Sequence, residues 1–375
     1  MVIEEDIKIL KNFIFQVRDR VSIIKREAEN RKRSSVFTIG TTSKKDSNKG
    51  LPYLTPIRRA NNYICSGVIV YSQTQAILSA VESDELIDLV LVDAEKKLDV
   101  LFTKSSILED FGIKILNEKN TSEYEVELGN LSAACFPYIQ KSHFLEFKGN
   151  DLTVNAAWHQ LSQIFKIFSG KKIAIIGCGN IGFKLALKLV ESGASVELVR
   201  RDITRGMQMA NVINIVKSDS TIARAYFNSN PLQASLFADA VLGCTNGTTA
   251  VDKKMVMAMK KDGVLMDIGK GSLGKEAISQ AIVRGISVLR CDVTSSLDGL
   301  INTKLKTKHE LNNITGRKEW PGGVYTVSGG KLGLDGDFVV DNYLNPTDVI
   351  GIADGNGDLT PIKTEDRQKI LKLIK

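Results

Sequence analysis

A glycine turn between two apolar strands constrains the fold of this chain more than any other feature of its sequence. Residues 171–202 read KKIAIIGCGNIGFKLALKLVESGASVELVRRD: a short apolar strand, three spaced glycines, an amphipathic helix and a second apolar strand. This order is typical of the unit that holds a dinucleotide at the edge of a parallel sheet. Gly177 allows the tight turn, Gly179 leaves room for the pyrophosphate, and Gly182 lets the helix lie close on the strand.

The start of the helix after these glycines is a predicted phosphate site. Asn180 and Ile181 lie in its first turn, where backbone N–H groups lack an acceptor within the helix and the positive end of the helix dipole is exposed. Both features favour a bound phosphate. The alternative is a domain of the same fold that has lost its ligand.

The end of the second strand bears on which nucleotide is bound. A site for NAD usually has an acidic residue there, about 20 residues after the glycines, which binds the ribose hydroxyls. This chain has Arg200 and Arg201, followed by Asp202. A guanidinium can bind a 2′-phosphate through forked, charge-assisted hydrogen bonds. We therefore expect NADP in preference to NAD; in the alternative, both arginines are solvated and Asp202 binds the ribose.

The composition predicts a soluble globular protein. Hydrophobic residues make up 43% and charged residues 25% of the 375 residues, which is enough chain for two domains. No apolar run reaches the roughly 18 residues that a membrane span needs, and the first residues, MVIEEDIKIL, lack the pattern of a signal peptide. The five cysteines are scattered without a C-x-x-C pair, so neither a metal site nor a disulfide framework is indicated. We expect a cytoplasmic protein with reduced thiols and no membrane partner.

The net charge of +7 has a local source in the basic run 25–45. Such a run can bind nucleic acid, but aromatic residues are not interleaved with it and no nucleic-acid motif is visible. We expect a solvated helix end and loop, and no nucleic-acid partner. Binding of an anionic cofactor and an anionic substrate is enough to explain a modest positive charge.

The order of predicted elements indicates an α/β protein. Apolar residues at helical spacing predict one long helix over residues 4–30 and a short helix over 52–61, after which strands alternate with helices. A long helix over 151–168 leads to the glycine turn, and near-continuously apolar strands follow it. The predicted fold class is a Rossmann doubly wound parallel sheet with a second, smaller α/β domain.

Three regions are expected along the chain. Residues 1–154 would form an α/β substrate domain, and residues 155–320 the Rossmann domain. Residues 321–375 would be a glycine-rich segment with a C-terminal helix, which packs back on the first domain. We expect a homo-oligomer, since dimers are the common solution for soluble enzymes.

Further candidate residues follow the later strands, because ligands bind at the carboxyl ends of parallel strands. The first group should lie against the nicotinamide ribose, and its glycine leaves room for the backbone to approach. The second group should face the nicotinamide and the substrate. The first group is Cys244, Thr245, Asn246 and Gly247, and the second is Asp267, Gly269 and Lys270.

At this point the residues resemble a known superfamily. Lys270-Gly271 after a strand, then KEAISQAIVRG and a strand that ends in Cys291-Asp292-Val293, is similar to the cofactor domain of D-2-hydroxyacid dehydrogenases. Thr245-Asn246-Gly247 and the segment LPYLTPIRR (51–59) resemble S-adenosylhomocysteine hydrolase. The resemblance covers residues 155–295 and, more faintly, 50–155. It implies an NAD(P)-dependent, two-domain protein.

The chain departs from both families at the catalytic residues. The resemblance to the dehydrogenases places Lys270 where they have a substrate-binding arginine, and a lysine binds a carboxylate as a point charge without the fork. For the family's acid/base histidine, His309 in Thr307-Lys308-His309 is the candidate, because a histidine pKa near 6.5 suits proton transfer. The catalytic residues of the hydrolase are not recognisable.

These observations predict an oxidoreductase that uses NADP (or NAD) and moves a hydride between the nicotinamide and a small, anionic metabolite. The catalytic candidates are Lys270 and His309. Two alternatives stay open: a hydrolase or lyase of the S-adenosylhomocysteine hydrolase type with tightly bound cofactor, and a non-catalytic NAD(P)-binding regulator.

Overall fold

The computed structural model describes residues 7–42, 51–95, 109–113 and 130–374. The chain divides into two compact units, Met1–Ser296 and Leu297–Lys375. The first unit contains two sheets and the second contains one. No helix within the described ranges is long and apolar enough to cross a membrane.

The first sheet of the larger unit is mainly parallel. Four strands in the order β4-β1-β5-β6 pair in parallel, and the short β2 and β3 pair antiparallel to the edge strand β4. The helix Ile7–Asn30 packs on this sheet because its buried residues, from Leu10 to Ala28, recur at helical spacing. The strands are β1 (Ser34–Thr41), β2 (Tyr53–Leu54), β3 (Arg58–Arg59), β4 (Tyr63–Val70), β5 (Leu89–Asp93) and β6 (His143–Phe147). The other helices here are Gln73–Asp84, Leu131–Cys135 and the 3-10 turn Phe136–Tyr138.

The predicted short helix over residues 52–61 is wrong. This segment is extended, with Tyr53 opposite Ile69 and Arg58 opposite Cys65 in the pairing with β4. Pro56 disfavours helical angles at the residue before it and provides no backbone donor. The open edge of β4 provides hydrogen-bond partners for the extended chain instead.

The second sheet has the strand order of a Rossmann domain. Its six strands are all parallel in the order β12-β11-β10-β7-β8-β9, which is 3-2-1-4-5-6 when counted from β7. The strand order reverses between β7 and β10, where such sheets bind their ligands. The strands are β7 (Lys172–Ile176), β8 (Ser195–Val199), β9 (Ala225–Phe227), β10 (Ala240–Gly243), β11 (Val264–Asp267) and β12 (Ser287–Arg290). The helices are Asn180–Glu191, Ile203–Val216, Pro231–Ser235, Lys253–Ala258 and Lys275–Val283.

Both faces of this sheet are buried. Ile173 and Ile175 of β7 lie in one apolar cluster, and Ala174 and Ile176 lie in another on the opposite face. A strand buried on both faces must be apolar at every position, and this explains the near-continuous runs in the sequence. The predicted fold class, a doubly wound parallel sheet with a second smaller α/β sheet, is confirmed.

The helix Gly149–Phe165 connects the two sheets. It begins directly after β6, and its residues Val154, Ala157 and Leu161 are buried in the Rossmann core. The expected domain boundary after residue 154 falls inside this helix. The helical spacing of apolar residues located the helix but not the core to which it contributes.

The smaller unit is a mixed sheet with helices at its ends. The strands follow the order β13-β14-β15-β16-β17, and all neighbours are antiparallel except β14 and β15. They are β13 (Gly316–Trp320), β14 (Val324–Ser328), β15 (Phe338–Val340), β16 (Val349–Ala353) and β17 (Leu359–Pro361), and the flanking helices are Thr294–Asn313 and Thr364–Leu373. The expected boundary after residue 320 is misplaced, because Trp320 pairs with Val324 in one hairpin. Apart from Gly351 in β16, the glycines of 321–375 lie in the segments between strands.

Candidate functional site

In the glycine turn after β7, the first glycine has a left-handed backbone conformation and the third glycine lies close to the strand. Gly177 has φ +99°, a conformation that L side chains rarely adopt, and its N–H donates to Val199 O at 3.0 Å. A Cβ at Gly182 would lie 3.0 Å from Gly177 O and 3.2 Å from Ile175 Cγ2. The helix Asn180–Glu191 therefore lies directly on the strand.

The middle glycine of the turn faces open space. A Cβ built at Gly179 meets no heavy atom within 4 Å. Gly179 also precedes the helix Asn180–Glu191 without any side-chain cap, so the first-turn N–H groups at Asn180 and Ile181 have no partner within the helix. The arrangement fits a pyrophosphate, which needs both the space and the donors.

The residues after β8 differ sharply in their contacts. Arg200 is half-buried, and its Nη1 donates to Cys178 O in the glycine turn at 2.5 Å. Its Nε is buried without a hydrogen-bond partner. Arg201 is exposed. Asp202 caps the helix Ile203–Val216, since its Oδ1 accepts the N–H of Arg205 at 3.0 Å.

The loops after β10 and β11 are hydrogen-bonded to each other. The Gly247 N–H donates to Gly269 O at 3.0 Å, and Thr245 Oγ1 donates to Ser272 Oγ at 2.9 Å. A Cβ at Gly269 would lie 1.7 Å from Thr245 O, so only glycine allows this approach. Among the predicted residues of the first loop, Asn246 is exposed.

Cys178 in the glycine turn is buried, and Cys244 beside the turn is half-buried. The Cβ of Cys244 lies 3.7 Å from the position of a Cβ on Gly182. Burial raises the pKa of Cys244 well above its usual range and that of Cys178 to about 11. Both thiols therefore stay protonated at neutral pH.

Lys270 stands on a tight turn that a buried carboxylate holds. Its φ is +55°, which is uncommon for a residue other than glycine, and Gly271 follows with φ +120°. Asp267 Oδ2 accepts the N–H of Gly271 at 2.8 Å and Oδ1 accepts that of Ser272 at 3.1 Å. The Lys270 side chain is exposed.

Asp267 was expected to face the nicotinamide, and its contacts in the structure are with its own turn. The residue is 6% exposed, and a buried carboxylate needs hydrogen-bond donors. The nearest donors are the backbone N–H groups of the Lys270 turn. Asp267 therefore holds the turn on which Lys270 stands.

His309 lies in the smaller unit, on the helix Thr294–Asn313. Its side chain is exposed, and Nδ1 lies 3.1 Å from Nδ2 of Asn313. The other predicted residues lie in the larger unit, at the carboxyl ends of β7, β8, β10 and β11. Of the described residues, no group of three or more His, Cys, Asp or Glu could hold a metal ion.

The first sheet contacts the helix after the glycine turn through residues that sequence reasoning missed. Asn150 Nδ2 donates to Asn180 Oδ1 at 3.4 Å, and its backbone N–H donates to Glu95 Oε2 at 2.6 Å. Lys184 Nζ lies 2.5 Å from Asp151 Oδ1 and 3.8 Å from Glu95 Oε1. The carboxyl ends of β5 and β6 therefore meet the cofactor-side edge of the Rossmann sheet. No sequence motif marks these residues.

Comparison with known proteins agrees with this geometry. Residues 164–271 match the model of a family described as "Putative NAD(P)-binding". This region is therefore an NAD(P)-binding domain, and the predicted NAD(P)-binding superfamily is confirmed for it. No match to a curated protein was found.

Several solved structures are similar to this chain at low levels of identity and superposition. Dipicolinate synthase A chain from Bacillus subtilis is 10% identical, with a TM-score of 0.34, over 74% of this chain and 97% of its own. 5-Ketofructose reductase of Gluconobacter sp. is 17% identical, with a TM-score of 0.32, over 71% and 89%. A putative formate dehydrogenase from Pyrobaculum aerophilum is 15% identical, with a TM-score of 0.27, over 39% of this chain and 52% of its own.

Proposed function

We propose that this protein is an NAD(P)-dependent dehydrogenase or reductase that prefers NADP and acts on a small, anionic metabolite. The glycine turn supports this proposal most directly. It combines an uncapped helix start, open space at Gly179 and the switch point between β7 and β10. The bound cofactor would supply hydride transfer, and the protein would supply position and charge.

The preference for NADP rests on the residues after β8. Asp202 already caps a helix through Oδ1, so a ribose hydroxyl would have to share this carboxylate with the N–H of Arg205. Arg200 is held over the glycine turn with a buried, unpartnered Nε. A phosphate oxygen would provide the missing acceptor, since guanidinium–phosphate bonds are charge-assisted. Arg201 is exposed and adds positive charge beside it.

Lys270 is the proposed charge for an anionic substrate. Asp267 fixes its turn at the end of β11, next to the loop Cys244–Gly247, which would contact the nicotinamide ribose. His309 remains the candidate for proton transfer, because an imidazole side chain can accept and release a proton. In the hydrolase-like alternative the cofactor stays bound and no net reduced cofactor accumulates; in the regulator alternative there is no turnover.

The first experiment measures thermal stability with NADP, NADPH, NAD and NADH in parallel. A ligand at about 100 times its Kd raises the free energy of unfolding by about 2.7 kcal/mol. We expect stabilisation by the phosphorylated forms. No shift with any of the four, from protein shown to be free of cofactor, would refute the proposal. Stabilisation by NAD and NADH alone would indicate that Asp202 binds the ribose and that the arginines do not bind a phosphate.

The variant Arg200→Ala tests the phosphate contact. Its affinity for NADPH should fall about 10-fold to 100-fold, which corresponds to the loss of charged hydrogen bonds, while its affinity for NADH changes little. Arg205→Ala is the matched control, because it removes the same charge from an exposed residue nearby. Equal losses in both variants would show a general effect of charge and would contradict the specific role of Arg200.

A further inference from the structure

Six large apolar side chains are exposed where the chain enters four strands of the Rossmann sheet. The parallel strands β7, β10, β11 and β12 are neighbours, so the segments that enter them lie side by side at the amino ends of the strands. The glycine turn lies at the opposite, carboxyl ends. Each entering segment contributes at least one of the six residues. They are Ile167, Leu236, Phe237, Met257, Ile282 and Val283, and we call them the amino-edge patch.

Backbone contacts connect the helix ends that carry this patch. The Phe237 N–H donates to Ala258 O at 2.9 Å, which brings Phe237 to the end of the helix Lys253–Ala258. Arg284, which directly follows the patch residues of the next helix, donates from Nη2 to Met259 O at 3.1 Å. The segments before β10, β11 and β12 therefore form one continuous surface.

Three lysines beside the patch have partners within the chain. Lys171 Nζ and Lys260 Nζ lie 3.7 and 2.9 Å from Asp239 Oδ1, and the first of these contacts joins the segment before β7 to the segment before β10. Lys172 Nζ donates to Leu236 O at 3.0 Å. Charges that are paired in this way oppose the approach of a like-charged surface less than free charges do. A second copy of the same patch can therefore face it.

Phe237 has a backbone conformation that is rare for an aromatic residue. Its φ is +54°, and Lys166, directly before Ile167, has φ +59°. Strained backbone persists only where the surrounding structure fixes it, and it is concentrated at functional sites. The Phe237 side chain is 73% exposed, so this conformation brings little burial within the chain. Aromatic residues held outward are enriched at protein interfaces.

The size of the patch fits contact with a second copy of the chain. The exposed parts of its residues amount to an area on the order of 800 Å², which is about what each partner of a standard interface buries. The largest apolar patch on a typical monomer is only about 300–600 Å². Most homo-oligomers are two-fold dimers, in which one surface patch meets the same patch of the partner.

We propose that the amino-edge patch is the interface of a two-fold symmetric dimer and that Phe237 is its aromatic anchor. The patch and the glycine turn lie at opposite ends of the Rossmann strands, so the glycine turns of both copies stay accessible in such a dimer. The proposal depends on neither the cofactor nor the reaction. Its failure would leave the proposed function as it stands.

Sedimentation velocity and light scattering on the full-length protein, over a range of concentrations, measure the oligomeric state. We expect a dimer. Because the contact is apolar, its dissociation constant should rise by less than about threefold between about 0.1 and 1 M NaCl, whereas an association driven by charge would weaken strongly. A monomer at every concentration, or a dimer that dissociates at high salt, would overturn the proposal.

A matched pair of phenylalanine variants locates the interface. Phe237→Asp should raise the dissociation constant at least about 100-fold, because one substitution removes the anchor from both sides of a two-fold contact. Phe15→Asp is the control, since Phe15 is 70% exposed on the helix Ile7–Asn30 of the first sheet. It should dimerise as the wild type does. A dimer of wild-type strength in Phe237→Asp, or an equal loss in Phe15→Asp, would show that another face is used.

A second variant and a lipid assay cover the remaining outcomes. Aspartate adopts left-handed angles more readily than phenylalanine, so Phe237→Asp should keep the wild-type circular dichroism spectrum. If it does not fold, Val283→Asp decides at another exposed point of the patch: a monomer supports the proposal, and a dimer overturns it. Flotation with vesicles of phosphatidylcholine and phosphatidylglycerol tests a lipid surface as the occupant. A monomeric wild-type protein that floats with these vesicles would overturn the dimer.

Discussion

Replacing Gly179 by alanine separates the two roles that glycines have in the turn after β7. A Cβ there meets no heavy atom within 4 Å, and the backbone angles, φ −100° and ψ −153°, lie in the extended region that alanine also adopts. We expect Gly179→Ala to fold. Its free energy of unfolding without ligand should equal that of the wild type or exceed it by up to about 1 kcal/mol, because alanine reduces the entropy of the unfolded chain.

The same methyl group would occupy the space proposed for the pyrophosphate. We expect the affinity for NADPH to fall at least about tenfold. At a concentration of about 100 times the wild-type Kd, cofactor stabilises the wild type by about 2.7 kcal/mol. The tenfold loss leaves about 1.4 kcal/mol, and a 100-fold loss leaves about 0.4 kcal/mol. The loss appears only when cofactor is present.

Denaturant unfolding of both proteins, with and without NADPH, measures all four free energies. Gly269→Ala is the contrasting variant, since its Cβ would lie 1.7 Å from Thr245 O. Its free energy of unfolding should be lower by about 1 to 3 kcal/mol even without cofactor, because the added methyl group overpacks the loop. If Gly179→Ala keeps the full stabilisation by NADPH, the pyrophosphate does not pass over this glycine and the proposed binding mode is wrong.

Two predictions concern stability away from the site. Asp337 is buried, and the forked pair with Arg317, at 2.7 and 3.0 Å, holds the pKa of its carboxyl below the usual range. Asp337→Asn should lower stability at pH 7 by about 2 to 4 kcal/mol. Because the folded-state pKa is depressed, this difference is fully present above the unfolded pKa of about 3.9 and shrinks as pH falls below it, which unfolding curves between pH 3 and 7 can check. Gly67→Ala should destabilise the first sheet by several kcal/mol in denaturant unfolding, since its Cβ would lie 2.4 Å from Thr38 O on the neighbouring strand; a neutral result would contradict the close approach of these strands.

Much of the fold followed from local patterns. Strands buried on both faces are apolar throughout, so β7, β10 and β11 were predicted near their observed positions. The long helix Ile7–Asn30 followed from its helical spacing, and residues 4–6 of the prediction lie outside the described part of the chain. The segment 52–61 was predicted wrongly, because its conformation depends on pairing with the edge of β4, which is distant in sequence.

The sequence predicted those parts of the candidate site in which all the interacting residues lie within one short segment. The glycine turn is such a case, since the left-handed angle at Gly177 and the close approach at Gly182 arise within a few residues. The contacts of Asp267 with its own turn were not predicted, because a side chain at a strand end can face either a ligand or its own turn. The sequence does not show whether the carboxylate will be buried, and burial decides which of these two contacts it makes.

By itself, the sequence determined the strand–turn–helix unit, the alternation of strands and helices, and the arginines that follow β8. Steric and periodic constraints act over a few residues, and they can therefore be read from the chain directly. Only the tertiary structure decided that Asp202 caps a helix, that Arg200 retains an unpartnered donor, and that Asp267 accepts hydrogen bonds from the turn at Lys270. These facts depend on which groups meet across the fold. Whether a buried polar atom has a hydrogen-bond partner depends on the groups that the fold packs around it, and not on its own residue alone.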